Sequence, residues 1–202
     1  MKAKTFLILG IVVIVVFSFG FFAANYFNDL ETGKRYLKYF NYFGDIKKFQ
    51  QAISKNPEDI QAHLWLGIAY GKKRDYANAV KEFELVRNTA PQFPVPAPLH
   101  YEIGMIYYLA EEYNRAMEEF SLATNLDSKF IDAFFNLGIV LSTIGKVEEA
   151  VRAYEHVISL DPSHAYSHWN LAICYERLGQ TEKAIHHWQN YMDIVQIGRA
   201  HV

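Results

Sequence analysis

The chain carries one cysteine, Cys174, so no disulfide can form within it and the thiol count leaves the redox compartment open. It holds no CxxC and no HExxH motif, the usual frames for zinc. A glycine-rich phosphate loop, a GxSxG elbow and a kinase signature are missing as well. Neither sign of charge dominates: 20 Lys and Arg stand against 22 Asp and Glu, for a net charge of -2. A basic surface for nucleic acid is thereby excluded. Hydrophobic residues make up 51% of the chain, too many for a disordered one. Aromatics reach 16%, which supplies large side chains for a helical core.

Charge is absent altogether from residues 5–24, TFLILGIVVIVVFSFGFFAA. Twenty residues at 1.5 Å rise make about 30 Å of helix, the thickness of a bilayer's hydrocarbon core. Lys2 and Lys4 precede the run, and Phe21, Phe22, Tyr26 and Phe27 mark its exit, as an interfacial belt would. The run reads as an uncleaved transmembrane anchor. A cleaved signal peptide is the rival, but its apolar core would be shorter. Ser18-Phe19-Gly20 is a weak cleavage site, and Ala24 has Phe22 at the -3 position. The positive N-terminus favours a cytoplasmic start and repeats on the non-cytoplasmic side, periplasmic or extracellular. Lys34, Arg35 and Lys38 weaken that bias.

Beyond the run, the sequence repeats itself. Gly104, Gly138 and Ala172 are spaced by 34 residues, as are Ala116, Ala150, Ala184 and Phe120, Tyr154, Trp188. Gly67, Ala79 and Phe83 form an earlier copy, 37 residues ahead, with the excess in the proline-rich loop Pro91-Gln92-Phe93-Pro94-Val95-Pro96. Each unit reads as two antiparallel helices. Glycine inside a helix costs about 1 kcal/mol against alanine, so its recurrence wants a packing reason. A close crossing supplies one: Gly67 with Ala79, Gly104 with Ala116, Gly138 with Ala150, Ala172 with Ala184. Pro91 and Pro162 stop second helices.

These residues resemble the tetratricopeptide repeat, whose 34-residue signature runs W-x2-L-G-x2-Y…A-x3-F…P. The resemblance covers residues 60 to about 194 in four copies. It implies an all-α, right-handed α-solenoid of antiparallel helix pairs, here preceded by the N-terminal transmembrane helix. His63, His100, His168 and Phe134 stand where tryptophan is usual, and Ser128 replaces the closing proline. Upstream, Ile46, Phe49, Ala52, Ile53 and Pro57 fit the second helix of a degenerate unit, with Asp45 in the small-residue position. A linking helix is expected over 26–43.

The resemblance also implies a function. First helices line a groove that holds extended partner segments. Its positions here are Leu64, Tyr101, Phe135 and Trp169, then Ile68, Met105, Ile139 and Ile173 one turn on. Asn136 and Asn170 would hold a peptide backbone, since an amide both donates and accepts. Tyr108, Glu176 and Arg177 would tune the rim. Some relatives clamp a C-terminal carboxylate at groove positions that here hold Leu64, Ile68, Tyr101 and Met105, so such a clamp is not expected.

Chemistry has few candidates. His164 and His168 are four apart and His186 adjoins His187, without further ligands beside them. The row His63, His100, His168 either senses pH or replaces the usual aromatic in packing; the packing role is the plainer. Cys174 lies on an apolar helix face and reads as a buried thiol. Paired glutamates such as Glu111-Glu112, Glu118-Glu119 and Glu148-Glu149 read as solvated faces. No catalytic residue, cofactor or metal is expected.

The last six residues, 197–202, resemble a translated sequencing adapter and read as a non-native scar. The helix Thr181 to Val195 keeps apolar surface that a following helix would cover. The layout is therefore an anchor at 1–25, a juxtamembrane helix and half repeat at 26–57, and four units within 58–196, at about 60–93, 97–130, 131–164 and 165–196. The expected activity is a membrane-anchored scaffold that binds protein or peptide partners at the membrane, with no nucleic acid or small-molecule substrate. The alternative is the targeting arm of a larger enzyme, such as a glycosyltransferase, whose C-terminal domain is missing.

Overall fold

A computed structural model describes residues 42–200. The uncharged run at 5–24 and most of the linking helix expected over 26–43 lie outside the described residues. The chain divides into two compact units, 1–41 and 42–202, and only the second is described below. Among the described residues there are nine helices and no strand. In chain order they are α1 (Tyr42–Lys55), α2 (Ile60–Lys72), α3 (Tyr76–Thr89), α4 (Ala97–Leu109), α5 (Tyr113–Leu126), α6 (Ile131–Thr143), α7 (Val147–Leu160), α8 (Ala165–Arg177) and α9 (Thr181–Ala200). Among the described residues, no helix is long and apolar enough to cross a membrane.

Each helix packs against the next, which is the arrangement of a solenoid. α2 with α3, α4 with α5, α6 with α7 and α8 with α9 are the four repeats. α1 lies against α2. Local chemistry sets the helix starts. Asp59 accepts from the Ala62 N–H at 3.0 Å, and Asp75 accepts from that of Asn78 at 3.3 Å. Pro98 sits in the first turn of α4, where its missing N–H costs nothing. His164 caps α8 through Nδ1, which accepts from the Ser167 N–H.

The recurring glycines lie nearest the aromatic ring of their own repeat. A Cβ placed on Gly67 would lie 2.6 Å from the Phe83 ring. On Gly104 it would meet Phe120 at 2.8 Å, and on Gly138 it would meet Tyr154 at 2.5 Å. The glycine makes room for the aromatic of its own repeat, because a flat ring reaches farther across the helix pair than an alanine methyl does. Ala79, Ala116 and Ala150 are themselves fully buried. The fourth repeat has Ala172, and its ring Trp188 instead stands edge-on to Trp169 at 4.7 Å.

Phe120, Tyr154 and Leu171 are among the largest side chains wholly shut off from solvent. The core runs through all four repeats, from Leu64 to Ala184. Between repeats the Ile106 side chain presses against Gly71, where a Cβ would strike it. Ion pairs cross the same joints: Lys72 with Glu102, and Arg115 with Glu84. Pairs of this partly exposed kind contribute at most about 1 kcal/mol each.

The histidine row is more than a packing substitute. His63 is buried, its Nδ1 lies 2.6 Å from Glu82 Oε2, and its Nε2 lies 3.1 Å from the carbonyl of Pro57. His100 Nδ1 pairs with Glu119 at 2.7 Å. His168 Nε2 bonds the Pro162 carbonyl at 3.2 Å, and its Nδ1 meets His187 Nδ1 at 3.0 Å. Each histidine is thus a strut from the first helix to a residue nineteen places on in the second. The third repeat lacks the strut: the equivalent residues are Phe134 and Ala153.

Candidate functional site

First helices α2, α4, α6 and α8 carry the residues expected to line a groove, and burial sorts them into two sets. Leu64 and Ile68 on α2 are only 3% and 2% exposed, within the core cluster of Ala79, Phe83 and Ile103. Their expected place in the groove is therefore corrected: at the first repeat these positions are filled inward. On α4, Tyr101, Met105 and Tyr108 are half-buried. So are Phe135, Asn136 and Ile139 on α6, and Asn170 and Ile173 on α8. Trp169 is 41% exposed, and Arg177 is exposed too.

The aromatic side chains of this row are held by rings from their own second helices and loops. Tyr101 lies 5.8 Å from Phe120 and 5.0 Å from Phe130. Phe135 lies 5.9 Å from Tyr154 and 4.9 Å from His164. Tyr108 lies 5.8 Å from Tyr113. Trp169 is clasped by Trp188 and Tyr191, with Tyr191 at 5.0 Å. That last cluster was missed in the sequence, although the three-residue spacing of Trp188 and Tyr191 on one face of α9 is its signal. Tyr166 and Leu109 were also missed; they are 68% and 50% exposed on first helices.

The two asparagines differ. Asn136 Nδ2 donates to Tyr101 Oη at 3.3 Å and to the Asp132 carbonyl at 2.8 Å. Its donors are committed within the protein, and its carbonyl oxygen is left to accept. Burial, then the Asp132 and Glu102 carboxylates, pushes the Tyr101 hydroxyl above its ordinary pKa. The hydroxyl therefore stays protonated. The Asn170 side chain makes no hydrogen bond with any described residue, so its amide keeps both functions. Arg177, expected at the rim, donates through Nη1 to the Ser142 carbonyl at 3.0 Å and to Ser142 Oγ at 2.9 Å. It stitches α8 to α6. Glu176 accepts from Trp188 Nε1 at 2.9 Å.

Nothing in this row resembles an active site. Cys174 is buried, and burial pushes its thiol pKa up, away from the reactive thiolate. Among the described residues no cluster of three His, Cys, Asp or Glu is placed to hold a metal ion. The row offers rings, aliphatic side chains, one unpaired amide and one free amide carbonyl.

Sequence models of the tetratricopeptide repeat match residues 46–94, 97–130 and 166–193, and a TPR repeat model matches residues 143–179. The chain belongs to the tetratricopeptide-repeat family. No curated protein matches it. Solved structures do. A crystal structure of MamA superposes with a TM-score of 0.68 at 20% identity, covering 83% of this chain and 96% of that one. MamA from AMB-1 gives 0.71 at 22% identity, covering 82% of this chain and 89% of the other. YrrB, a TPR protein with an unusual peptide-binding site, gives 0.69 at 22% identity, covering 84% of this chain and 83% of that one. At such identity the likeness is one of fold, and it extends along the whole row of repeats.

Proposed function

We propose that the repeats form a scaffold that holds an extended segment of a partner protein along the first-helix face. One observation carries this: the half-buried row Tyr101, Met105, Phe135, Ile139, Trp169 and Ile173 crosses three successive repeats, and Asn170 lies within it with its amide unpaired. Apolar side chains of the partner supply most of the affinity, and the amide aligns its backbone. The peptide-binding site of YrrB, on the same fold, supports the reading. Asn136 contributes an acceptor only, because its protons are spent on Tyr101 and Asp132.

The scaffold works at a membrane. The support is the uncharged run at residues 5–24, long enough for a bilayer core. Its basic N-terminal flank favours repeats on the non-cytoplasmic side. Tethering raises the effective concentration of the groove near membrane partners.

A photo-crosslinking residue in place of Ile139 tests the groove. A discrete adduct is expected from native membranes, and none from the same residue at Leu126 on the second-helix face. Equal labelling at both positions would sink the groove reading. For the anchor, the full chain should resist alkaline extraction from membranes, and the chain without residues 5–24 should not.

A further inference from the structure

The second-helix face carries a site of its own, where the third repeat lacks its strut. In the first two repeats a histidine on the first helix meets a glutamate on the second, His63 with Glu82 and His100 with Glu119. Phe134 and Ala153 hold those places in the third repeat, and the methyl of Ala153 fills far less space than a glutamate. A hollow of about 420 Å3 is left between α5, α6 and α7. That is within the size range of ligand pockets, roughly 300–1,000 Å3. Its floor is apolar: Met117, Phe134, Leu137 and Leu141. The rings of Phe134 and His156 lie 4.0 Å apart along one wall.

The rim is cationic. Lys146 and Arg152 border the hollow, against the single carboxylate of Glu149. Lys146 stands 3.6 Å from Glu149, which largely neutralises that pair. Arg152 makes no ion pair or hydrogen bond with any described residue. His156 Nε2 donates to the Ser128 carbonyl at 2.8 Å. Counting back one repeat shows how distinctive this is. The places of Lys146, Glu149, Arg152 and Ala153 are held there by Glu112, Arg115, Glu118 and Glu119. Three carboxylates and one cation become two cations and one carboxylate, and this reversal of sign coincides with the hollow.

We infer that this hollow is a second protein-docking site, taking a large apolar side chain of an acidic partner segment whose flanking carboxylate pairs with Arg152. The apolar floor receives the side chain, and burial there supplies the larger share of the affinity. Arg152 selects for the acidic neighbour, since a lysine beside the anchor would face Arg152 and Lys146. The site stands apart from the first-helix groove and needs no ligand there.

Methionine methyl signals test this in the full chain, because the chain has four methionines. Met117 lines the hollow and Met105 lies in the groove row, so each surface has a reporter. The probes are the capped tripeptides Ac-Glu-Phe-Glu-NH2 and Ac-Lys-Phe-Lys-NH2 at millimolar concentration. The acidic peptide should move the Met117 signal saturably and leave Met105 in place. The lysine peptide should move neither. Exposed Arg152, changed to Ala, should weaken the acidic peptide by about threefold, as loss of an exposed ion pair does. Ala153→Glu should abolish the Met117 response by filling the hollow and reversing its charge. A silent Met117, or equal response to both peptides, would overturn the inference. So would a Met117 shift that tracks protein concentration without peptide, which would make a second copy the occupant. Response at Met105 alone would assign the peptide to the groove and leave the hollow without a ligand.

Discussion

Gly138 and Tyr154 are so close that a Cβ on the glycine would lie 2.5 Å from the tyrosine ring. An alanine at a helix interior position normally gains about 1 kcal/mol over glycine. Here the ring is wholly buried and cannot retreat without opening the helix pair. Gly138→Ala should therefore destabilise the repeats by roughly 1–3 kcal/mol, the usual cost of overpacking. Urea melts read the change. The double variant Gly138→Ala, Tyr154→Leu should recover part of the loss, because the shorter side chain clears the new methyl.

The turns that join the two helices of each pair make an opposite forecast. Gly145 and Gly179 have φ of 86° and 70°, in the left-handed region. The same repeat position is held by Arg74 and Glu111, both at φ 63°. A side chain there costs roughly 1–2 kcal/mol. Glu111 is exposed and makes no ion pair with a described residue. Glu111→Gly should thus raise stability by about 1 kcal/mol, set against the extra chain entropy of glycine. A higher urea midpoint with unchanged slope is the expected result.

Acid should loosen the last repeat. His187 is pushed down to about 4, by burial first and then by His168 and His186. Its neutral ring stacks on Tyr175 at 5.5 Å and meets His168 Nδ1. A histidine with a depressed pKa binds fewer protons folded than unfolded. Its stabilising contribution is therefore full above pH 6.5 and is lost as pH falls toward 4. The stability gap between the natural chain and His187→Gln should shrink across that window. Denaturant midpoints at pH 7.5, 6 and 5 measure it, and a pH-independent gap would contradict the assignment.

Leu64 and Ile139 belong to the two groove rows of the repeat, one helical turn apart, yet Leu64 is buried and Ile139 only half-buried. Leu64→Ala should cost roughly 2–5 kcal/mol of stability, because it opens a cavity in the core. Ile139→Ala should cost far less stability and should reduce partner crosslinking at the groove. Thermal melts and crosslinking yields on both variants separate the two effects.

Much of the architecture was legible in the order of residues. The 34-residue spacing of glycine, alanine and aromatic positions implied helix pairs, because only one point on each helix can stay small at a close approach. Proline-rich breaks marked ends of second helices. These are local or periodic signals, carried by residues a few turns apart. The partner of each glycine was not legible. Gly67, Gly104 and Gly138 each lie nearest an aromatic ring, because ring reach across the pair depends on how the helices tilt. The duty of Leu64 and Ile68 escaped the pattern as well: they share a repeat position with Tyr101 and Met105, but their neighbours cover them. Likewise, Asn136 and Asn170 look identical in sequence, and only the tertiary structure spends the protons of one on Tyr101. The sequence by itself determined the repeat, its helices and the small residues at their crossings. Tertiary structure alone decided which side chains stay open to a partner, because exposure depends on what neighbouring repeats bring against each position.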